Sequence, residues 1–177
     1  MATRQTLSPI HFQRWIDEHR HLLKPPVGNR LVYEDEEFII MVVGGPNART
    51  DFHVDPAEEF FHQIEGSMVL RLVQDGAIHD VEIKAGEIFL LRADVPHSPQ
   101  RQAGGVGLVV ERRRKPGEKD GLRWYCERCV TPVYEETFEL KDITKDFPPV
   151  FDRFYADAKN RTCRTCGYQV PDRAPKA

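Results

Sequence analysis

The sequence predicts an antiparallel β sandwich or barrel, opened by a short helix and closed by a metal-binding tail. Three observations carry this. Between Arg30 and about Val110, short runs of β-branched and aromatic residues alternate with turn residues. Ahead of them, Phe12, Trp15, Ile16 and His19 recur at roughly helical spacing. Behind them, all four cysteines of the chain fall into two CxxC pairs.

The helix is expected from Leu7 to about Leu23, ended by Lys24-Pro-Pro-Val-Gly-Asn29. Strands are expected at Leu31–Tyr33, Phe38–Val43, Glu59–Ile64, Met68–Val73, Ile78–Ile83, Ile88–Arg92 and Val106–Glu111. Gly44-Gly-Pro46, Glu65-Gly66, Gln74-Asp-Gly76, Ala85-Gly86 and Gly104-Gly105 separate them, and Gln74-Asp75-Gly76 is the clearest hairpin turn. The charged stretch from Arg112 to Asp120 reads as a solvated linker, because it mixes acids with bases and carries no interleaved aromatics. Phe147-Pro-Pro149 reads as an interruption of the tail. The expected division is residues 1–115 for the barrel with its helix and 116–177 for an extension that carries the cysteines.

Composition narrows the function classes. At 177 residues the chain has room for one sizeable core, and 40% hydrophobic with 30% charged residues is ordinary for a globular protein. A formal net charge of -3 points away from nucleic acid and anionic membrane as partners. No apolar stretch approaches the ~20 residues that span a bilayer. The N-terminal residues lack the basic-then-apolar pattern of a secretory signal, so a cytoplasmic location is the expectation. In a reducing compartment the cysteines read as metal ligands sooner than as disulfides.

His53, Glu59 and His97 stand out as a first metal constellation. The first two are six positions apart, an even offset that places them on one face of extended chain, with Pro56 between them. His97 follows Pro96 where a returning strand would bring it beside them. Two neutral imidazoles and one carboxylate leave several positions of a metal open, which suits non-haem Fe(II). His11, His19, His21, His62 and His79 read as surface or capping residues. The second constellation is Cys126-Glu-Arg-Cys129 with Cys163-Arg-Thr-Cys166. Two such turns facing one another make a tetrahedral four-thiolate site for zinc or iron, closed to substrate and therefore structural.

The stretch His53-Val-Asp55, Glu59 and Gly66, with Gly86 and His97 further on, resembles the two cupin motifs. Asp55 stands where most cupins carry a further histidine, which leaves three ligands. A closer resemblance runs from about Phe12 to the last cysteine. Gly44-Gly-Pro-Asn-Ala-Arg-Thr-Asp-Phe-His53, Glu58-Glu-Phe-Phe61, His97-Ser-Pro-Gln-Arg101, Gly107–Glu111 and Trp124-Tyr-Cys126 are similar to the 3-hydroxyanthranilate 3,4-dioxygenase family. The resemblance implies a cupin (jelly-roll, double-stranded β-helix) barrel and His53, Glu59 and His97 as ligands of catalytic Fe(II). It implies a rubredoxin-like centre, iron or zinc, on Cys126, Cys129, Cys163 and Cys166. It also implies Arg49, Glu59, Arg101 and Glu111 as substrate-binding and catalytic residues. The implied partners are an aromatic small molecule and dioxygen, and the implied product is a ring-opened semialdehyde that closes to quinolinate. Arg101 is expected to take the substrate carboxylate, Arg49 the hydroxyl oxygen, and Glu111 the amino group. A homodimer paired through exposed barrel edges is expected. The alternatives are a cupin dioxygenase of another substrate and a ligand-sensing cupin with a zinc-ribbon tail that is not an enzyme.

Overall fold

The computed structural model describes residues 8–25, 28–33, 37–47 and 49–172. Eleven strands form two antiparallel sheets among these residues. The first sheet has the order β1 (Asn29–Leu31), β2 (Phe38–Gly44), β9 (Val106–Arg112), β4 (Glu59–Glu65) and β7 (Ile88–Leu91). The second runs β11 (Pro132–Phe138), β10 (Asp120–Tyr125), β3 (Phe52–Val54), β8 (His97–Arg101), β5 (Ser67–Gln74) and β6 (Ala77–Lys84). From β2 to β10 the chain changes sheet at nearly every connection, which winds a jelly roll. The β5–β6 hairpin is the exception. Its turn residues Asp75 and Gly76 both have positive φ, as a two-residue hairpin turn requires.

Alternation along the strands fills the space between the sheets. Met41, Phe61, Met68, Leu70, Leu72, Ile83, Leu91 and Val109 form one buried cluster there. Each such side chain contributes roughly 1.5–3 kcal/mol when fully withdrawn from water. Helix α1 (Phe12–His19) and the 3₁₀ turn Arg20–Leu22 form within the expected helical segment, whose proposed start at Leu7 lies outside the described residues. Ile16 packs with Leu23, Val42 and Val106, and His19 stacks on Trp15.

Three expectations are corrected. The first strand is Asn29–Leu31, two residues earlier than the apolar run suggested. Phe52–Val54, His97–Arg101, Asp120–Tyr125 and Pro132–Phe138 are strands that hydrophobic runs did not reveal. Phe147-Pro-Pro149 does not interrupt the tail: α2 spans Ile143–Ala156 with Pro148 and Pro149 inside it. The prolines remove two backbone donors from the helix interior. Asp142 caps its start by accepting from the Thr144 N–H, and Phe147, Val150 and Phe154 bury one face against Leu122 and Trp124. Packing of that face outweighs the local preference.

Strand β10 lies beside β3, with Leu122 opposite His53. The second sheet therefore continues past residue 115 into the cysteine-bearing part of the chain. Trp124 stacks on Phe154 at 4.1 Å and donates through Nε1 to Thr50 Oγ1. These contacts seat α2 across one end of the sandwich.

Candidate active site and metal centres

Strands β3 and β8 meet at a single register, His53 opposite His97. Across the sandwich, β4 presents Glu59 from the facing sheet. Its Oε1 lies 3.0 Å from His97 Nε2 and 3.6 Å from His53 Nδ1. The even offset expected to align His53 and Glu59 is therefore not the cause of their meeting. The chain breaks between β3 and β4, and the two residues face each other from opposite sheets.

The outer nitrogens of both imidazoles are engaged elsewhere. His53 Nε2 is 2.8 Å from Asp120 Oδ1, and His97 Nδ1 is 3.0 Å from the Val95 carbonyl oxygen. A carbonyl and a carboxylate accept, so those nitrogens carry the N–H, and in the neutral imidazoles the lone pairs of His53 Nδ1 and His97 Nε2 face Glu59. Glu59 Oε1 is buried with no hydrogen-bond partner among the described residues. Two imidazole nitrogens and an unpaired carboxylate oxygen that converge without bonding one another fit a cation.

Without a metal, the anionic surroundings favour a proton on His53 in the place of a cation. Burial opposes charging of His53, but Asp120 and the adjacent Glu59 carboxylate raise its pKa to about 9. Burial pushes Glu59 up, and His97 and His53 outweigh it to hold the carboxyl well below its usual range. Burial, hydrogen bonding to Glu111 and the nearby carboxylates raise Asp55 to about 9, against Arg114.

A pocket of about 120 Å³ opens onto these three residues. For scale, a closed apolar cavity of about 150 Å³ holds benzene. Strand alternation selects its walls: Met41 and Val43 from β2, Glu59 and Phe61 from β4, His97, Pro99 and Arg101 from β8, Val109 and Glu111 from β9. Helix α2 adds Ile143 and Phe147. All the expected substrate residues reach this one pocket.

Arg101 is buried and makes no ion pair among the described residues. Burial lowers its pKa to about 10; Glu59 counters this and Arg49 adds to it. Gly107 makes room for it, since a Cβ there would stand 2.8 Å from Arg101 Nη1. Arg49 differs. Its Nε and Nη2 bind Asp51, and its guanidinium lies over the Phe147 ring.

Several site residues were not visible in the sequence. Asn47 bonds the part of β8 that β3, meeting it only at His97, leaves unpaired. Its Oδ1 accepts the Arg101 N–H at 2.7 Å, and its Nδ2 donates to Pro99 O at 2.9 Å. Asp120 and Arg114 lie in the stretch read as a solvated linker, yet both are buried against the site. That reading is overturned at these two positions. Only alternation of buried and exposed positions within that stretch would have signalled it, and a loop has none.

The second centre brings the four cysteines together as expected. Their Sγ atoms lie 3.5 Å (Cys126–Cys166), 3.6 Å (Cys129–Cys163) and 3.7 Å (Cys129–Cys166) apart, and no disulfide forms. Metal–sulfur bonds of about 2.3 Å in a tetrahedron give an edge of about 3.8 Å. The two loops match bond for bond. Cys126 N–H donates to Thr131 O as Cys163 N–H does to Tyr168 O, and Val130 N–H donates to Cys126 O as Gly167 N–H does to Cys163 O. Val130 and Gly167 both have positive φ, at 57° and 72°. Hydrogen bonding from Thr131 holds the Cys129 thiol down to about 6.

A two-sheet jelly roll that gathers two imidazoles and a carboxylate into its interior defines the chain as a cupin with a candidate metal centre. Its sequence narrows this further. The profile of the 3-hydroxyanthranilic acid dioxygenase family matches residues 4–155, and the chain belongs to that family. It is 58% identical over 165 residues to 3-hydroxyanthranilate 3,4-dioxygenase of Xanthomonas euvesicatoria pv. vesicatoria, covering 93% of each chain. It is 52% identical over 170 residues to the protein of the same name from Ruegeria pomeroyi, covering 96% of this chain and 94% of that one. These matches favour the enzyme over the ligand-sensing alternative.

Proposed function

We infer that this chain is a 3-hydroxyanthranilate 3,4-dioxygenase that holds Fe(II) on His53, Glu59 and His97. The reaction adds both atoms of dioxygen across the ring bond between the hydroxyl-bearing carbon and its unsubstituted neighbour, the side away from the amino group, yielding 2-amino-3-carboxymuconate semialdehyde. One observation carries the reading: a buried guanidinium with no ion pair among the described residues, Arg101, shares a pocket of about 120 Å³ with two imidazoles and a carboxylate. Such a cation calls for an anionic ligand, and the substrate's carboxylate supplies it.

When bound, ferrous ion supplies a chelation site for the adjacent amino and hydroxyl groups and the means to activate dioxygen. The remaining work falls to side chains. Arg101 fixes the carboxylate by a planar fork that lysine cannot reproduce. Glu111 accepts a hydrogen bond from the amino group and orients the ring. Arg49 binds Asp51 through Nε and Nη2, which leaves Nη1 without a hydrogen bond among the described residues, and its charge favours the ionised hydroxyl oxygen. Met41, Phe61, Val109 and Phe147 exclude water around the ring.

The tail centre holds iron or zinc in the same reading and acts structurally, since four thiolates leave no open position. A homodimer belongs to it as well. The unpaired edge strand β7 exposes Ile88 and Leu90, and Leu90 borders an apolar groove with Phe38 and Phe60, surface that a second copy would cover. No described helix is long and apolar enough to cross a membrane, and the cytoplasm is the proposed compartment.

Anaerobic loading with Fe(II), followed by 3-hydroxyanthranilate and air, tests the activity. The ring-opened chromophore is expected to appear with one dioxygen consumed per substrate. Turnover of a thiol acid or a simple catechol in preference to the aminophenol acid would overturn the assignment.

A further inference from the structure

Arg114 is absent from any motif, yet its side chain is only 7% exposed and lies against three buried carboxyl groups. Nε lies 3.0 and 2.8 Å from the two oxygens of Asp120, and Nη2 lies 2.7 Å from Asp120 Oδ1. Nη2 also lies 2.7 Å from Asp55 Oδ2, and Nη1 lies 3.1 Å from Glu111 Oε2. Asp120 is the partner of His53, and Glu111 lines the pocket. One guanidinium thus joins the outer partner of a metal-facing imidazole to a wall of the substrate pocket.

The loop that carries it is built to aim it inward. Arg112 donates twice to Glu118 at 2.6 Å, and the Lys115 N–H donates to the same carboxylate at 2.7 Å. Glu118 N–H returns a bond to Lys115 O, and Gly117 turns the chain with φ 84°. The Arg113 N–H is held by Glu37 O. This turn fixes the backbone on both sides of Arg114, so the guanidinium lies where strands β9 and β10 diverge.

We propose that Arg114 is a positioning residue that sets the His53 imidazole through Asp120 and the Glu111 carboxylate directly. The inference rests on the proposed function and adds a residue to it. Its physical basis is fork geometry. Donors fixed in one plane hydrogen-bond Asp120 and Glu111 at once with Asp55 alongside, whereas a lysine ammonium is a point that cannot span both. Partners of metal-bound imidazoles fix ring orientation, and their loss typically weakens metal binding about 10–100-fold. Arg114 acts one step further out on the imidazole and with no intermediary on Glu111.

The test uses the full-length protein with its tail centre filled, as wild type, R114K, D120N and the double variant. Two quantities are measured: Co(II) affinity of the barrel site by competition with a chromophoric chelator, and KM for 3-hydroxyanthranilate at saturating Fe(II). Both single variants are expected to lose about 10–100-fold in Co(II) affinity. The double variant should bind no more weakly than D120N, because Arg114 reaches the metal only through Asp120. R114K should raise KM severalfold in both backgrounds through Glu111. R114K with Co(II) affinity and KM within twofold of wild type, but a lower Tm, marks a purely structural ion pair and overturns the proposal. Multiplying affinity losses in the double variant overturn the route through Asp120. If R114K does not fold, D120N decides the metal arm alone, and unchanged Co(II) affinity there overturns it. Wild type that binds no metal at the barrel site sinks the proposed function and takes this inference with it.

Discussion

Four thiolates in the tail come from two turns of four residues each, whereas the three donors in the barrel come from three strands of two facing sheets. Each tail turn is closed by its own backbone bonds, Cys126 to Val130 and Thr131, Cys163 to Gly167 and Tyr168. Two of the barrel donors depend on residues far away in sequence, His53 on Asp120 and, through it, Arg114, and Glu59 on the facing sheet, while His97 is held locally by the Val95 carbonyl. The tail centre is closed and half exposed, and the barrel centre is buried and open on a pocket. Local turns make a staple; strands held at a distance make room for a substrate. The two centres should therefore fail differently.

The largest effect is expected from His97→Ala. Barrel metal and turnover should vanish, while metal analysis still finds one ion per chain in the tail. The mirror experiment is Cys166→Ser. Tail metal should be lost, and hydrogen exchange should accelerate from residue 126 to 170, with activity reduced less than tenfold. Activity lost in proportion to tail metal, with barrel metal retained, would break the distinction between staple and reaction site.

Arg101→Ala should come next. Loss of a charge-assisted fork costs roughly 1.5–3 kcal/mol, so KM should rise about 10–100-fold with metal content unchanged. Gly107→Ala should give a weaker version of the same phenotype, since the new methyl would crowd Arg101 Nη1. Steady-state kinetics in which kcat falls and KM holds would remove the carboxylate role from Arg101.

A pH titration gives a smaller, signed effect. In the metal-free protein the His53 pKa is raised from 6.5 to about 9. Its stabilising contact with Asp120 and Glu59 is thus complete below about pH 6.5 and lost as pH rises through about 9. Metal loading runs the other way, because the ligand nitrogen must shed its proton. Apparent barrel affinity should climb up to about tenfold per pH unit toward pH 9 and then flatten. Affinity independent of pH between 7 and 9 would contradict the raised pKa.

Val130→Gly should produce the smallest change, a gain of about 1 kcal/mol in tail stability. Val130 is β-branched with φ 57°, where the matching turn has Gly167. A chelator-challenge assay of the tail metal would detect the gain, and a loss would mean the valine contributes packing that outweighs its strain.

How much of this was readable depends on distance along the chain. Two CxxC pairs declare their own geometry, since four residues suffice to build each turn. The apolar runs of β2, β4, β5, β6 and β9 were equally plain, because turn residues bound each of them. Strand β8 was hidden by the polar pocket it lines: His97, Ser98 and Arg101 are buried but do not read as hydrophobic. His53, Glu59 and His97, singled out in the sequence and by the family resemblance, do converge, while the face-sharing offered for the first pair had no part in bringing them together.

By itself the sequence determined the donor types, the two cysteine turns, the hairpin at Asp75-Gly76 and most strand faces, because short-range sterics and alternation act within a few residues. Only the tertiary structure decided that a charged loop would bury Arg114 and Asp120 against the site, that α2 would run through two prolines, and that Asn47 would bond the stretch of β8 that β3 leaves unpaired. Those outcomes depend on burial against elements far away in the chain, where packing free energy outweighs local preference.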